Sequence, residues 1–369
     1  MNENLFSRSA EYPSNRLFCL DALRGLDMIL LTVVGPLICA AQDGWNCFPA
    51  GFVRQFYHGW RGFTLWDIIM PLFIFMCGAA MPFALEKRLR QGRGVFWRHV
   101  LARVALLWFL GGLVQGQWMT LDPLKMTPYS NTLQSIAMGY LVVAAAMATG
   151  SRILMYVGPL VLAVGYAMLM AIHGDYSQFG NVAYDVDQAV FRFMLPSSSR
   201  WIVNPSYYTW VLTSAMFAVM TFVGYHATII LRSSRTNWIK AGLLCFYGAA
   251  LLGGGLVSEI WVPCIKPIFT FSFTAQAMGW CALALDLLFV VNDIWRIRCG
   301  STAILFFGQM ALAAYFTSHF FKPVLESFAH LMVDGILARI PCSAEPFVIC
   351  LLSIVGMVVL MIGWCKVKS

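Results

Sequence analysis

The stretch that decides the fold reads Phe56-Tyr57-His58-Gly59-Trp60-Arg61-Gly62-Phe63-Thr64-Leu65-Trp66-Asp67, and an apolar run follows it through residue 85. A helix from Thr64 to Glu86 would rise about 33 Å, which is close to the thickness of the hydrocarbon core of a membrane. The stretch therefore predicts a titratable loop at one membrane face that leads into a spanning helix with an acidic residue near its start.

The composition extends this prediction to the whole chain. Of its 369 residues, 60% are hydrophobic and only 11% are charged, whereas a soluble domain carries about 25% charged residues. We therefore expect an all-α, polytopic membrane protein that forms one integral-membrane domain over residues 1–369. About ten apolar runs are long enough to span, with nine to eleven as the range: 24–41, 65–85, 100–116, 132–149, 153–172, 208–231, 241–261, 268–291, 302–321 and 346–365.

The distribution of Lys and Arg predicts the orientation. About two thirds of the 25 Lys and Arg side chains are assigned to one face, and the positive-inside rule makes that face cytoplasmic. Both termini are then cytoplasmic, with residues 1–17 as a tail that has no cleavable signal peptide, and His58 lies outside. The net charge of +8 thus reflects topology and does not indicate nucleic acid as a partner.

The outer loops, 42–64, 117–131, 173–207, 262–267 and 322–345, are longer than the inner connections, so we expect substrate binding on that side. None of the 11 cysteines forms a C-x-x-C pair, and the sequence predicts no metal site. Cys47, Cys264 and Cys342 fall in outer loops, and the sequence does not decide whether two of them form an external disulfide.

Asp67 and His58 each allow a structural and a functional interpretation. Thr64 and Asp67 have the T-x-x-D spacing of a capping box, but an ionisable group below the membrane surface also tends to mark a site. The two roles are compatible. Imidazole exchanges protons near neutral pH, so His58 is a candidate base; the alternative is a histidine held among the aromatic residues of the membrane interface.

Polar residues on other helices are further candidates. Asp21, Arg24 and Asp27 fall within a stripe of about 120° on the first helix, where they either pair at the inner interface or turn together toward a polar cavity. Asn131 and Gln134 lie one turn apart at the start of the fourth helix, as hydrogen-bond donors to a ligand or as links between helices. His319, near the outer end of the ninth helix, ranks below His58.

Several motifs together resemble a known family. They are Cys19-Leu20-Asp21-Ala22-Leu23-Arg24-Gly25, then His58, Trp60, Gly62, Asp67, Pro71 and Phe73, then Tyr129 to Gln134 and Gly308 to Tyr315. The pattern resembles the heparan-α-glucosaminide N-acetyltransferase family and its bacterial relatives, often labelled DUF5009. The family's active-site histidine falls on His58 if one residue is deleted in this chain, whereas an alignment without a gap places Tyr57 there. Animal members carry an Asn on the first helix where this chain has Gly35.

The resemblance implies a transmembrane acyltransferase of the cytoplasmic membrane that takes acetyl from cytosolic acetyl-CoA and delivers it to an amino sugar or related glycan on the outer side. We expect the phosphates of acetyl-CoA to lie near Arg24, Lys87 and Arg88, with Asp21 and Asp27 beside Arg24.

At the outer face, His58 would accept the amine's proton or carry the acetyl group, and Asp67 would orient the imidazole. Asn131 or Gln134 would bind the oxyanion, and Trp60 would contribute to substrate binding. The partners are then acetyl-CoA, the acceptor and the lipid bilayer, with no metal; the sequence leaves monomer and homodimer open.

The alternative function is a transporter or flippase for a sugar or a lipid-linked glycan. Such proteins are commonly built from inverted repeats with matched, broken helices. Residues 200–369 contain no counterpart of the motifs found in residues 1–150, and this favours the acyltransferase interpretation.

Overall fold

A computed structural model describes residues 17–114, 117–120, 128–194, 208–297, 301–337 and 342–368, and these residues form helices and turns without any strand. Nearly all of the predicted N-terminal tail lies outside the described residues, as do parts of the predicted outer loops 117–131, 173–207 and 322–345. The all-α prediction is confirmed for the described part of the chain.

Fifteen α-helices occur in the described residues. In chain order they are α1 (Phe18–Ile29), α2 (Gly35–Trp45), α3 (Ala50–Val53), α4 (Ile69–Gln91), α5 (Arg93–Val114), α6 (Thr132–Thr149), α7 (Arg152–His173), α8 (Val182–Met194), α9 (Ser214–Arg232), α10 (Asn237–Ser258), α11 (Phe271–Leu288), α12 (Ser301–Gln309), α13 (Ala311–Phe320), α14 (Lys322–Leu337) and α15 (Glu345–Lys368).

Nine helices in the described part of the chain are long and apolar enough to cross a membrane. The consecutive helices α12 and α13 pass the same test as a pair but are bent by 74° at the break between them, so the total is ten if the pair forms one span. Each of the ten predicted runs corresponds to one of these helices or to the pair. The prediction of a polytopic protein with about ten spans is therefore confirmed.

The chain forms two compact units, and the predicted single integral-membrane domain stays a prediction. We call Met1–Phe56 with Ala284–Ser369 the terminal unit and Tyr57–Leu283 the central unit. The boundary between them falls inside α11.

Two glycines allow α4 and α9 of the central unit to pack backbone against backbone. A Cβ atom at Gly78 would lie 1.9 Å from the carbonyl oxygen of Thr221, and one at Gly224 would lie 1.9 Å from the carbonyl oxygen of Phe75. Between them, the Thr228 hydroxyl donates to the Ala79 carbonyl at 2.8 Å. Small residues let membrane helices approach this closely, and α4 is thereby fixed just beyond the His58 loop.

The terminal unit contains irregular helices. Its α1 packs on α12 through Gly25, where a Cβ atom would lie 1.9 Å from the carbonyl oxygen of Ile304. Turns of π-helix occur at Leu30–Val34, between α1 and α2, and at Phe289–Ile294, after α11. The bent pair α12 and α13 breaks at Met310, whose φ of −102° and ψ of 18° are not helical.

Candidate active site

One carboxylate oxygen of Asp67 takes part in capping the N-terminal end of the second membrane-spanning segment. Asp67 lies in a turn of 3-10 helix, Leu65–Ile68, that leads into α4. Its Oδ2 accepts hydrogen bonds from the backbone N–H and from the hydroxyl of Thr64, each at 2.8 Å. The capping box predicted from the T-x-x-D spacing is present, and it explains why Asp67 holds a fixed position.

The other oxygen of Asp67 holds His58. The Nδ1 atom of His58 lies 2.7 Å from Asp67 Oδ1; the Asp67 side chain is 1% exposed and that of His58 is 40% exposed. Because a carboxylate only accepts hydrogen bonds, Nδ1 carries the proton, and Nε2 keeps the free lone pair. Nε2 makes no hydrogen bond to any residue that the structure describes. The arrangement is that of an oriented base, with its reactive nitrogen on the exposed side of the ring.

Lys266 completes this cluster. Its Nζ atom lies 3.2 Å from Asp67 Oδ1 and 3.2 Å from His58 Nδ1, and its side chain is 4% exposed. Burial lowers the pKa of Lys266 to about 8, although the attraction of Asp67 acts in the opposite direction. Since Nζ and Nδ1 both carry protons in this state, both donate to the Asp67 oxygen and neither accepts from the other.

Sequence reasoning missed Lys266. It placed the residue in a short outer loop before α11 and gave it no role. The available signal was weak: a lysine followed by proline, immediately before an apolar helix. Its contact with Asp67 joins positions 199 apart in sequence, and no local pattern reports such a contact.

Two hydrogen bonds attach the loop of His58 to other parts of the central unit. The Gly62 N–H donates to the Cys264 carbonyl at 2.9 Å, two residues before Lys266, and Gly62 has a φ of +98° that favours glycine. The indole N–H of Trp60 donates to the Tyr176 carbonyl at 3.2 Å. Trp60 thus joins two loops, and its predicted contact with substrate stays a prediction.

The amide groups of Asn131 and Gln134 are engaged at the start of α6. Asn131 is the N-cap residue and accepts a hydrogen bond from the Leu133 N–H at 2.8 Å. Gln134 is fully buried; its oxygen accepts from the Ser130 N–H at 2.8 Å, and its nitrogen donates to the Pro128 carbonyl at 3.2 Å. Both side chains therefore have structural partners, and a role in binding an oxyanion stays a prediction.

A continuous series of ring contacts connects the His58 loop with the start of α6. Successive ring centroids lie between 4.9 and 6.1 Å apart, and the rings are those of Phe63, Phe273, Phe269, Tyr208, Trp210, Tyr129 and Trp108. Asp187 supports this series, because its carboxylate accepts from the backbone N–H groups of Trp210 and Val211 at 2.8 and 2.9 Å. Burial raises the pKa of Asp187 to about 7.

The residues predicted to hold acetyl-CoA are divided between the two units. In the terminal unit, Arg24 Nη1 lies 3.6 Å from Asp21 Oδ1, so these two pair as the helical stripe suggested. Asp27 does not join them; it is 2% exposed, and neither of its oxygens has a hydrogen bond. In the central unit, Lys87 is exposed at the end of α4, and Arg88 donates to the Ala84 carbonyl one turn earlier.

The two alternative bases have other surroundings. Tyr57 is 49% exposed. His319 belongs to the terminal unit, where its Nδ1 lies 2.9 Å from the Tyr315 carbonyl and its ring stacks on the ring of that tyrosine. The contact of His58 Nδ1 with the buried carboxylate of Asp67 therefore favours His58 as the base among the three.

The cysteines and possible metal ligands show no further site in the described part of the chain. Cys47 and Cys264, two of the three candidates for an external disulfide, are free thiols, and Cys264 is buried. No group of three or more His, Cys, Asp or Glu side chains is arranged to hold a metal ion among the described residues.

A family model for a domain of unknown function, DUF5009, matches residues 16–120 of the chain. The match includes the pairing of His58 with Asp67 and the basic end of α4, whereas Lys266 and α6 lie outside it. No curated protein matches the chain. The chain is therefore similar to DUF5009 proteins over its first spans, and the name of that family assigns no activity.

Proposed function

We propose that the protein is a transmembrane acyltransferase that moves an acetyl group from acetyl-CoA to the amino group of a sugar or related glycan. The observation that carries the proposal is the contact of His58 Nδ1 with the buried carboxylate of Asp67, which leaves Nε2 available. The resemblance of the surrounding motifs to acetyltransferases supports it.

In the proposed reaction, His58 acts as the base. Nε2 accepts a proton from the acceptor's amino group, whose lone pair forms a bond to the thioester carbonyl carbon. The C–S bond then breaks, and the leaving thiolate takes the proton from the imidazolium, so that the products are the N-acetyl compound and free CoA. In the alternative route, Nε2 attacks the thioester carbonyl carbon and the C–S bond breaks, which releases the CoA thiolate and leaves an acetyl-imidazole. The acceptor's amino group then attacks that acetyl group, the bond between Nε2 and the acetyl carbon breaks, and the proton lost by the amine goes to the thiolate.

Lys266 supplies the counter-charge that this chemistry needs. The Asp67 carboxylate and the Lys266 ammonium balance each other at 3.2 Å, so the cluster is neutral while the imidazole is neutral. During proton transfer the imidazolium lies next to Asp67, which stabilises it, and next to Lys266, which opposes it. We infer that this opposition favours return of the proton to the leaving group.

The proposal includes an orientation and a place for the donor. By the positive-inside rule, the end of α4 that carries Lys87 and Arg88 faces the cytoplasm, and His58 faces the outside of the cytoplasmic membrane. Cytosolic acetyl-CoA would place its phosphates near those two residues. A contribution of Arg24, in the terminal unit, remains a separate prediction.

A specific observation keeps the transporter or flippase as a second candidate. The 74° bend between α12 and α13 and the two turns of π-helix lie in the terminal unit, and discontinuous helices commonly form the binding sites of transporters. Irregular helices also occur at catalytic sites, so this observation does not by itself distinguish the two functions.

Purified protein in sealed vesicles, given acetyl-CoA on one side and radiolabelled glucosamine on the other, distinguishes them. The acyltransferase proposal predicts release of free CoA thiol that depends on glucosamine, together with formation of the N-acetyl sugar. Accumulation of unmodified glucosamine across the membrane, with acetyl-CoA consumed no faster than by empty vesicles, would contradict it and support the transporter.

A further inference from the structure

An arginine lies deep within a spanning helix of the central unit. Arg103 is ten residues into α5, which places it about 15 Å along the helix from Arg93. A charged side chain at such depth is costly in a membrane and usually has a partner of opposite charge or a functional role. Arg103 has no salt bridge to any acidic residue in the described part of the chain.

The partners that Arg103 does have are weak ones. Its Nη2 donates to the Cys77 sulfur at 3.7 Å, and its Cζ lies 4.6 Å from the centroid of the Tyr140 ring. A guanidinium has five N–H donors, whereas a thiol is a poor acceptor and an aromatic face attracts the charge without accepting its hydrogen bonds in a fixed geometry. Among the described residues, Arg103 therefore has no carboxylate or carbonyl oxygen as a strong acceptor, only the Cys77 sulfur and the Tyr140 side chain.

Tyr140 provides a second observation at the same place. Its side chain is completely buried; its hydroxyl interacts with the Arg103 guanidinium but makes no hydrogen bond of regular geometry. Buried polar groups are nearly always paired, so a phenol without a regular hydrogen bond requires an explanation. One ligand with several acceptor oxygens would satisfy both this hydroxyl and the guanidinium that lies over the same ring.

The charges around the cluster favour an anionic ligand. His99 lies one turn before Arg103 on α5, and Arg88 and Arg103 are both close enough to His99 to interact with it electrostatically. The nearest acid along α4, Glu86, is already paired with Arg232 at 2.9 Å. Cys77 is ten residues after Asp67, or about 15 Å along the helix axis, so the cluster is separate from the His58 site.

We propose that Arg103 and Tyr140 form a binding site for an oxyanion of the phosphate class within the central unit. The guanidinium would bind two oxygens in parallel, the geometry that distinguishes arginine from lysine in phosphate recognition. The Tyr140 hydroxyl would donate to a third oxygen. The same chemistry is available in a soluble phosphate ester such as CoA and in the head group of an anionic lipid.

Binding is tested on the full-length protein in nanodiscs of phosphatidylcholine, and the assay contains neither an acetyl donor nor an acceptor. The probes are CoA and inorganic pyrophosphate, titrated at constant ionic strength against chloride, and the readout is the rise in the thermal unfolding midpoint, because a ligand of the folded state stabilises it by mass action. A parallel series adds phosphatidylglycerol to the nanodiscs instead of a soluble probe.

The expected result is saturable stabilisation that Arg103→Met weakens at least about tenfold in apparent Kd, whereas Arg98→Met does not. Arg98 is the matched control, because it is an exposed arginine five residues earlier on the same helix. Tyr140→Phe keeps the ring and removes only the hydroxyl; we expect a loss of about fivefold, and this variant tests the site if Arg103→Met fails to fold. Arg103→Lys should recover binding only in part.

The two series identify the source of the anion. Stabilisation by CoA or pyrophosphate that requires Arg103 indicates a soluble ligand, and stabilisation by phosphatidylglycerol alone with the same requirement indicates a lipid. Equal stabilisation of Arg103→Met and Arg98→Met, or no saturable stabilisation in either series, overturns the proposal. Because the assay contains no acetyl donor or acceptor, its outcome is independent of whether the protein transfers acetyl groups.

Discussion

The central and terminal units have similar apolar helices but differ in how regular those helices are. In the central unit, α4 and α7 contain Pro82 and Pro159 and still continue as single helices over 23 and 22 residues. In the terminal unit, the bend between α12 and α13 occurs at Met310, in a segment without proline. Proline is the usual cause of a kink, so the irregularity of the terminal unit has another origin.

The two units also differ in what their interiors contain. The central unit fixes α4 against α9 through Gly78 and Gly224, and it places a complete hydrogen-bonded cluster, Asp67 with His58 and Lys266, at the start of α4. The terminal unit has two turns of π-helix and a buried acidic side chain without a hydrogen bond, that of Asp27. The three residues on which the proposed acyl transfer depends, His58, Asp67 and Lys266, thus lie in the central unit, and substitutions in both units test whether the chemistry depends on that unit alone.

Replacement of Asp67 should have the largest effect. Asp67→Asn keeps the shape of the side chain but removes the charge that orients His58 and balances Lys266, so we expect CoA release to fall by about 10²–10⁴-fold. The control is Asp185→Asn, since Asp185 Oδ2 lies 3.4 Å from His173 Nε2 in an exposed pair of the same unit. A comparable loss in both variants would show that the Asp67 cluster has no special role.

Disruption of the close contact between α4 and α9 should have the next largest effect. Gly224→Ala places a methyl group against the Phe75 carbonyl, and we expect the free energy of unfolding to fall by about 1–3 kcal/mol. Thermal unfolding in detergent measures this. Gly254→Ala, on α10, meets nothing within 4 Å and should be neutral or slightly more stable. Equal stability of the two variants would refute the close packing.

Removal of Lys266 should have a moderate effect that depends on pH. Lys266→Met should lower turnover about tenfold at pH 7, and the exposed Lys322→Met, whose lysine is 3.8 Å from Glu326, should not. The pH profile of the parent should also contain a transition near pH 8, where the buried ammonium loses its proton, and Lys266→Met should lack it.

The same group determines a dependence of stability on pH. Because burial lowers the pKa of Lys266 to about 8, the unfolded chain binds more protons than the folded one between pH 8 and the ordinary lysine value of about 10.4. The free energy of unfolding of the parent should therefore rise relative to Lys266→Met across that window. A fall across the window, or no change, would contradict this position of the ammonium.

Asp27→Asn should have the smallest effect. A carboxyl group buried without a partner is held neutral, so an amide of the same shape should leave CoA release within about threefold of the parent, which we measure in the same assay. A loss of 100-fold or more would move essential chemistry into the terminal unit. It would favour the transporter, in which an intramembrane acid commonly carries a proton.

Local patterns predicted much of the fold but only part of the candidate site. Apolar runs of about 20 residues identified every span, because the membrane requires that length, and the T-x-x-D spacing predicted the cap at Asp67. The contact of Lys266 with Asp67, the separation into two units and the bend at Met310 depend on packing between distant segments. No pattern in the sequence reports those contacts, and for the same reason the hydrogen bonds that occupy Gln134 were not foreseen.

The role of His58 as the base is tested by the turnover of His58→Ala in proteoliposomes with acetyl-CoA and glucosamine, with and without added imidazole. We expect a fall of about 10²–10⁴-fold in glucosamine-dependent CoA release, with an unchanged unfolding midpoint because His58 is 40% exposed, and partial recovery when imidazole enters the vacated space. Retention of more than about a tenth of the parent rate would contradict the assignment of His58 as the base.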